Sequence, residues 1–207
     1  MNAIDLFQKI FRVLTYIIFC FIIIIIFVNS CVHTKMTHLE KKDLEWIQNA
    51  NIYTTQKFIS DSTNLSSLLI TSHSLYNSTN PFREGPWVDG EYEAKGNYGF
   101  VITQDNYNID GLVVLRKSIE NDSLYFTVYI DNYHIEQAIP QKTATLNLNG
   151  KIFNDCIIFD SKNGSFGIRE PTIPNNRIDK FILCKQYGLI YYKLESGEQF
   201  FLKSVHY

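Results

Sequence analysis

Two regimes of apolar patterning divide the chain. From Val13 to Val28 the run VLTYIIFCFIIIIIFV is uncharged and apolar at nearly every place, with Lys9 and Arg12 before it and Asn29-Ser30-Cys31 after it. Beyond residue 40 the apolar positions come in short stretches that alternate with polar ones and stop at clusters of Asn, Asp, Ser, Thr and Gly. The first regime predicts one hydrophobic helix. The second predicts half-buried strands joined by tight turns, about eleven of them at the short spacing of a meander.

Local signals place several elements. Glu40 to Ile47 reads as a brief helical turn that sets Leu44, Trp46 and Ile47 against the domain. Ile52 to Ser60 and Leu65 to Tyr76 read as strands around the turn Asp61-Ser62-Thr63-Asn64. Asn77 to Asp89 concentrates Pro81, Gly85 and Pro86 and is the best internal boundary, with Phe82 and Trp87 pinning the loop or facing a ligand. Asn149-Gly150 is the strongest hairpin signal and sets Leu146 opposite Phe153.

The stretch from Leu112 to Ile139 allows a register to be predicted. A hairpin at Asn121-Asp122 puts Leu115 opposite Val128 and Val113 opposite Ile130, and a second at Asp131-Asn132 puts Val128 opposite Ile135 and Phe126 opposite Gln137. One face is then almost wholly apolar across three strands. The other carries Arg116, Thr127 and Glu136 in one row, with Tyr125 nearby and Tyr129 beside His134. Arg116 and Glu136 are a candidate ion pair; Tyr125, Tyr129, His134 and Trp87 are candidate binding residues. The bland reading of that face is a solvated sheet surface.

The expected fold is therefore mostly β, an antiparallel meander forming a sandwich or a curved half-barrel, with an N-terminal signal-like or membrane-spanning helix. Residues 1–30 are expected as a signal peptide or uncleaved anchor, 31–40 as a tether and 41–207 as the β domain, with a sub-boundary at 77–89. Composition agrees: 14% aromatic residues is too rich for a disordered chain. A formal charge of -2, with no Lys/Arg block in the mature chain, argues against nucleic acid as a partner.

Chemistry enters mainly through the N-terminus. Positive residues ahead of an apolar run are the layout of a secretory signal, and they keep the N-terminus in the cytoplasm whether or not the run is cleaved. Val28-Asn29-Ser30-Cys31 resembles a bacterial lipobox, with an apolar first place, a small residue before the cysteine and a thiol to carry lipid; Asn29 is an unusual occupant of the second place. Cys31 is thus the candidate lipidation site. The alternative is a signal anchor, since Val13 to Val32 is about the length a spanning helix needs. Cys156 and Cys184 lie in apolar strand-like runs and form a disulfide or remain buried thiols.

Catalytic and metal patterns are weak. Asn106, Asn108, Asp110 and Gly111 imitate the start of a calcium loop, but Lys117 stands where the closing carboxylate belongs, so a turn is expected and no metal or cofactor. Histidines 33 and 38 lack an intervening ligand. Glu91 and Glu93 share a strand face as a glycosidase pair might, at about 7 Å along the strand.

Asp43-Leu44-Glu45-Trp46-Ile47 close behind the lipobox, with Phe58 and Leu68-Leu69-Ile70-Thr71 in the next strands, resembles the mature start of small lipoproteins of Bacteroidota type. Tyr187-Gly188-Leu189-Ile190-Tyr191-Tyr192, with Ser196-Gly197-Glu198 and Phe200, resembles their closing hairpin. The resemblance implies a β fold and a place in the cell envelope, the outer membrane before the inner, and no catalytic residues. The expected function is a membrane-anchored binding or structural module whose partner is a glycan, lipid or envelope protein. Its rivals are an envelope hydrolase using Glu91/Glu93 or Arg116/His134/Glu136, and a lipid carrier with a cavity lined by residues such as Phe126 and Val128.

Overall fold

The structure is a computed structural model that describes the chain apart from residues 1–2, 32–33, 49, 78–89, 106, 132, 141–142, 161, 163–164, 167–176 and 207. Its elements are α1 (Ala3–Cys31), β1 (Thr34–Met36), α2 (Lys41–Leu44), β2 (Thr55–Ser60), β3 (Leu65–Tyr76), β4 (Gly90–Tyr92) and β5 (Lys95–Gln104). There follow β6 (Tyr107–Lys117), β7 (Leu124–Ile130), β8 (Tyr133–Ala138), β9 (Ala144–Leu148), β10 (Lys151–Asp160), β11 (Ser165–Phe166), β12 (Ile178–Cys184), β13 (Gly188–Leu194) and β14 (Gln199–His206). The protein is mostly β, as patterning predicts. Among the described residues, patterning placed no strand at β1, β5 or β11; β1 and β11, of three residues or fewer, are too short to show alternation.

Two compact units are formed, residues 1–36 with 80–92, and residues 37–79 with 93–207. In the first, β1 pairs parallel with β4, and Lys35 meets Glu91 at 3.6 Å. Segment 31–40, expected as a tether, therefore contains a strand; within the second unit Thr37 and Leu39 are buried. Over residues 11–25 of α1 the large apolar side chains are exposed on every side, Phe11, Tyr16, Phe19, Phe21 and Ile24 among them. Counted over the described residues alone, no helix is long and apolar enough to cross a membrane.

Among the described residues, the second unit contains a twelve-stranded antiparallel sheet in the order β11-β8-β7-β6-β5-β3-β2-β14-β13-β12-β10-β9. It curls into a half-barrel. Phe126 on β7 meets Phe159 on β10 edge to face at 6.3 Å, and Tyr133 on β8 meets Phe181 on β12 at 5.9 Å. These strands are far apart in the sheet order, so the curl brings its two ends face to face and the inner-face aromatics fill the space between them. Phe159 and Phe181 stack at 4.7 Å at the centre. Tyr133 also donates through its hydroxyl to the Asp160 carbonyl at 3.0 Å, closing the same seam with a hydrogen bond.

The residues just after helix α2 enter this interior. The helix's capping box joins Glu40 and Asp43, and Trp46 just beyond it packs edge-on against Phe126 at 5.4 Å. Ile47 is buried beside it, as the sequence led us to expect.

The second predicted hairpin has the expected register, with Val128 opposite Ile135 and Phe126 opposite Gln137. Leu146 faces Phe153 at the Asn149-Gly150 hairpin, also as expected. The first hairpin differs: Leu115 lies opposite Phe126 and Val113 opposite Val128, two residues from prediction. The connection is a wider turn, closed by Ser118 N–H to the Ser123 carbonyl at 2.9 Å and by Asp122 N–H to the Ser118 carbonyl at 3.0 Å. A shift of two keeps every side chain on its predicted face.

Residues 108–111 lie within β6 and pair with β5, from Asn108 opposite Thr103 to Gly111 opposite Phe100, so the calcium-loop imitation is strand. Gly111 has a packing reason. A Cβ there would collide with the ring of Phe100, which lies over the bare backbone.

Candidate functional site

The polar constellation expected on the outer face of β6, β7 and β8 forms by a different route. In the observed register Arg116 lies opposite Tyr125 rather than Thr127. Its long side chain nevertheless reaches diagonally to Glu136, Nη2 to Oε1 at 2.6 Å, while Thr127 donates to the other Glu136 oxygen at 3.3 Å. Nη1 meets Glu93 at 3.0 Å, and the second oxygen of Glu93 accepts from the Ile119 N–H at 3.2 Å. The guanidinium also lies 4.9 Å from the Tyr125 ring centre. The two carboxylates hold the Arg116 pKa above its ordinary value against the opposing effect of burial.

This network is an ion-paired clamp between three strands. Both carboxylates are engaged by one cation, and Glu91, the proposed companion of Glu93, pairs with Lys35. Because Arg116 keeps about a quarter of its surface and Glu136 nearly half, the clamp is partly screened by water. Arg116→Met is expected to lower stability by about 1 kcal/mol, read from the urea midpoint, with the sheet retained by circular dichroism. An unchanged midpoint would show that the clamp contributes nothing.

Farther along the same face, Tyr129 and His134 lie opposite each other and stack, ring centres 4.7 Å apart and planes 21° apart. Tyr129 is 43% exposed, so the pair presents a flat aromatic surface to solvent. The structure thus brings Tyr129 and His134 together, and Arg116 and Glu136. Tyr125 joins the ion-pair group, its hydroxyl accepting from Asn121 at 3.1 Å. Trp87 falls outside the described residues. Cys31 ends α1, with its side chain outside the description.

A surface groove that patterning did not disclose crosses β5, β3, β2 and β14. It encloses about 590 Å³ and is lined by Lys57, Ser67, Thr103, Lys203, Ser204 and His206, with Leu65 and Asp105. Ser204 lies opposite Lys57 beside a bulge, and its hydroxyl meets His206 Nε2 at 3.0 Å. Among the described residues neither Lys57 nor Lys203 forms an ion pair. No sequence signal joins them, because only the pairing of β2 with β14 makes them neighbours.

Phe126 and Val128 are fully buried in the aromatic core. An interior cavity elsewhere, lined by Trp46, Thr54, Gln56, Tyr98 and Leu189 among others, holds about 20 Å³, the size of one water. Thr54 Oγ1 and Gln56 Oε1, buried and without a protein partner, are polar atoms that such a water would satisfy.

Cys156 and Cys184 are buried, free and directly opposite each other on β10 and β12. Burial first, then the neighbouring Cys184 thiol, pushes the Cys156 thiol up to about 12.

No protein-family model, curated protein or solved structure matches the chain.

Proposed function

We propose that the protein is an exported lipoprotein of the cell envelope, held to its membrane by lipid on Cys31, whose β domain acts by binding rather than catalysis. The observation that carries this reading is α1. From Val13 to Ile25 its side chains, Thr15 apart, are apolar and exposed all round, a helix surface that is stable only in lipid or inside a translocation machine. Lys9 and Arg12 orient it with the N-terminus inside, and it ends at the lipobox-like cysteine. Each buried methylene of an attached acyl chain adds about 0.8 kcal/mol of membrane affinity, so a diacylglycerol with a third, amide-linked chain holds the protein firmly.

The engagement of Glu93 and Glu136 by Arg116 supports the non-catalytic half of the reading. The exposed Tyr129–His134 stack is the favoured contact surface, and a glycan is the partner it suits, because the C–H faces of sugar rings pack on flat aromatic rings.

Labelling cells with a clickable palmitate analogue is expected to mark the protein, and Cys31→Ser is expected to abolish the label and accumulate the longer precursor. A Cys31→Ser chain that keeps its label and size would overturn lipidation. Tyr129→Ala is expected to weaken binding to envelope glycan fragments by tenfold or so, through loss of about 1–1.5 kcal/mol of aromatic contact. Unchanged binding of those fragments would remove the site assignment.

A further inference from the structure

We propose that Cys156 and Cys184 close into a disulfide that staples β10 to β12 when the chain folds in an oxidising compartment. The inference rests on the export reading for its setting and on geometry for its chemistry. The two residues are register partners in an antiparallel pair. Lys185 N–H donates to the Asp155 carbonyl at 3.0 Å, a bond between the residues flanking the cysteine pair, so the pair occupies a non-hydrogen-bonded site. At such sites the Cα atoms stand about 4.5 Å apart and the side chains approach most closely, inside the range a disulfide spans.

The thiols also point the same way. Cys184 Sγ lies 3.1 Å and Cys156 Sγ 3.7 Å from one acceptor, the Asn154 carbonyl. A bulge between Phe153 and Cys156, with Asp155 at φ 53°, turns this part of β10. Each of the two residues is 1% exposed.

Bond formation is thiol–disulfide exchange. One cysteine, as thiolate, attacks a disulfide supplied by an oxidoreductase or by oxidised glutathione, forming a mixed disulfide. The second thiolate then attacks the protein-side sulfur and expels the carrier thiolate. Two thiol protons leave, the cysteine pair loses two electrons, and the carrier disulfide is reduced to two thiols. Burial and the high native pKa of Cys156 leave almost no thiolate in the folded protein, so the exchange belongs to folding and not to the finished domain.

The test uses the full chain in detergent, refolded from denaturant in a reduced/oxidised glutathione mixture, then digested without reductant. The expected product is a fragment pair joined through Cys156 and Cys184, about 2 Da lighter than the two reduced fragments. It should be absent from Cys156→Ala and Cys184→Ala, and oxidised protein should melt roughly 5–10 °C above reduced protein. Native reduced protein given the same mixture without unfolding should oxidise far more slowly. Refolded protein with native circular dichroism in which both cysteines still react with maleimide after denaturation would overturn the proposal. A pair that closes in the refolding mixture but is wholly reduced when the chain is taken from cells upholds the geometry and counts against export.

Discussion

Phe159→Ala lowers the stability of the folded domain by about 3–5 kcal/mol, the range for deleting a fully buried aromatic ring. Its ring is fully buried, stacked on Phe181 and met edge-on by Phe126. It is the central piece between the two ends of the curled sheet, so its loss opens a cavity at the seam and removes two aromatic contacts at once. Collapse of the cavity is opposed by the stiff β-sheet on both sides. Urea unfolding followed by tryptophan fluorescence is the direct measurement, since Trp46 packs on Phe126 and reports the same cluster. Phe201→Ala, on a half-buried ring, serves as the comparison. If both variants cost the same, the seam is not the centre of the core.

Raising the pH above about 10 is expected to unfold the protein steeply. Burial raises the pKa of Tyr98, Tyr192 and Tyr133, the last to about 12. All three are almost fully buried. Below the ordinary tyrosine value of about 10 both native and unfolded chains keep these protons, and the phenols add no pH dependence. Above it the unfolded chain releases protons that the native chain still holds, so stability falls as pH rises. The slope is about 1.4 kcal/mol per pH unit for each phenol, or about 4 kcal/mol for the three together, until the native values are reached. The Cys156 thiol adds a further component starting about one unit lower, and that component vanishes in disulfide-bonded protein.

The measurement is the urea midpoint as a function of pH, with tyrosinate absorbance recorded alongside. Tyr192→Phe should reduce the slope by one phenol. It also has a separate cost of about 1–2 kcal/mol at neutral pH, because Ser66 loses the hydroxyl it meets at 2.6 Å. A midpoint constant between about pH 9 and pH 11 would contradict the burial of these phenols.

The sequence was legible wherever a short turn sets the register. Two residues separate β7 from β8 and β9 from β10, so turn chemistry alone aligns Val128 with Ile135 and Leu146 with Phe153. It was less legible at Ser118 to Ser123. There a plausible two-residue turn lies inside a wider one, and alternation cannot separate registers that differ by two. The Arg116–Glu136 contact was anticipated on a row that does not exist, and it forms because an arginine reaches past its nearest cross-strand neighbour. Glu93 was weighed as half of a carboxylate pair with Glu91; its partner Arg116 stands on the neighbouring strand β6, and nothing local marks it.

Long-range pairing accounts for the rest. The facing of Cys156 and Cys184, and of Lys57 and Ser204, depends on which strands lie side by side. Apolar alternation states only that a strand is half-buried and does not name its neighbour.

The pairing of β14 with β2, which sets Phe200 opposite Ser60, has a consequence for the order in which the molecule can be made. The hairpins of β5 to β8 and of β12 to β14 use contacts close in sequence and can form early, whereas the joint between β2 and β14 closes a loop spanning most of the domain. On the proposed export, the chain after α1 crosses the membrane in sequence order, so β2 emerges well before β14. Until then β2 offers an open edge of unpaired backbone groups, with Phe58 uncovered, and must be kept from pairing with other chains. On the proposed export, the β2–β14 joint closes only after β14 has crossed, later than the local hairpins.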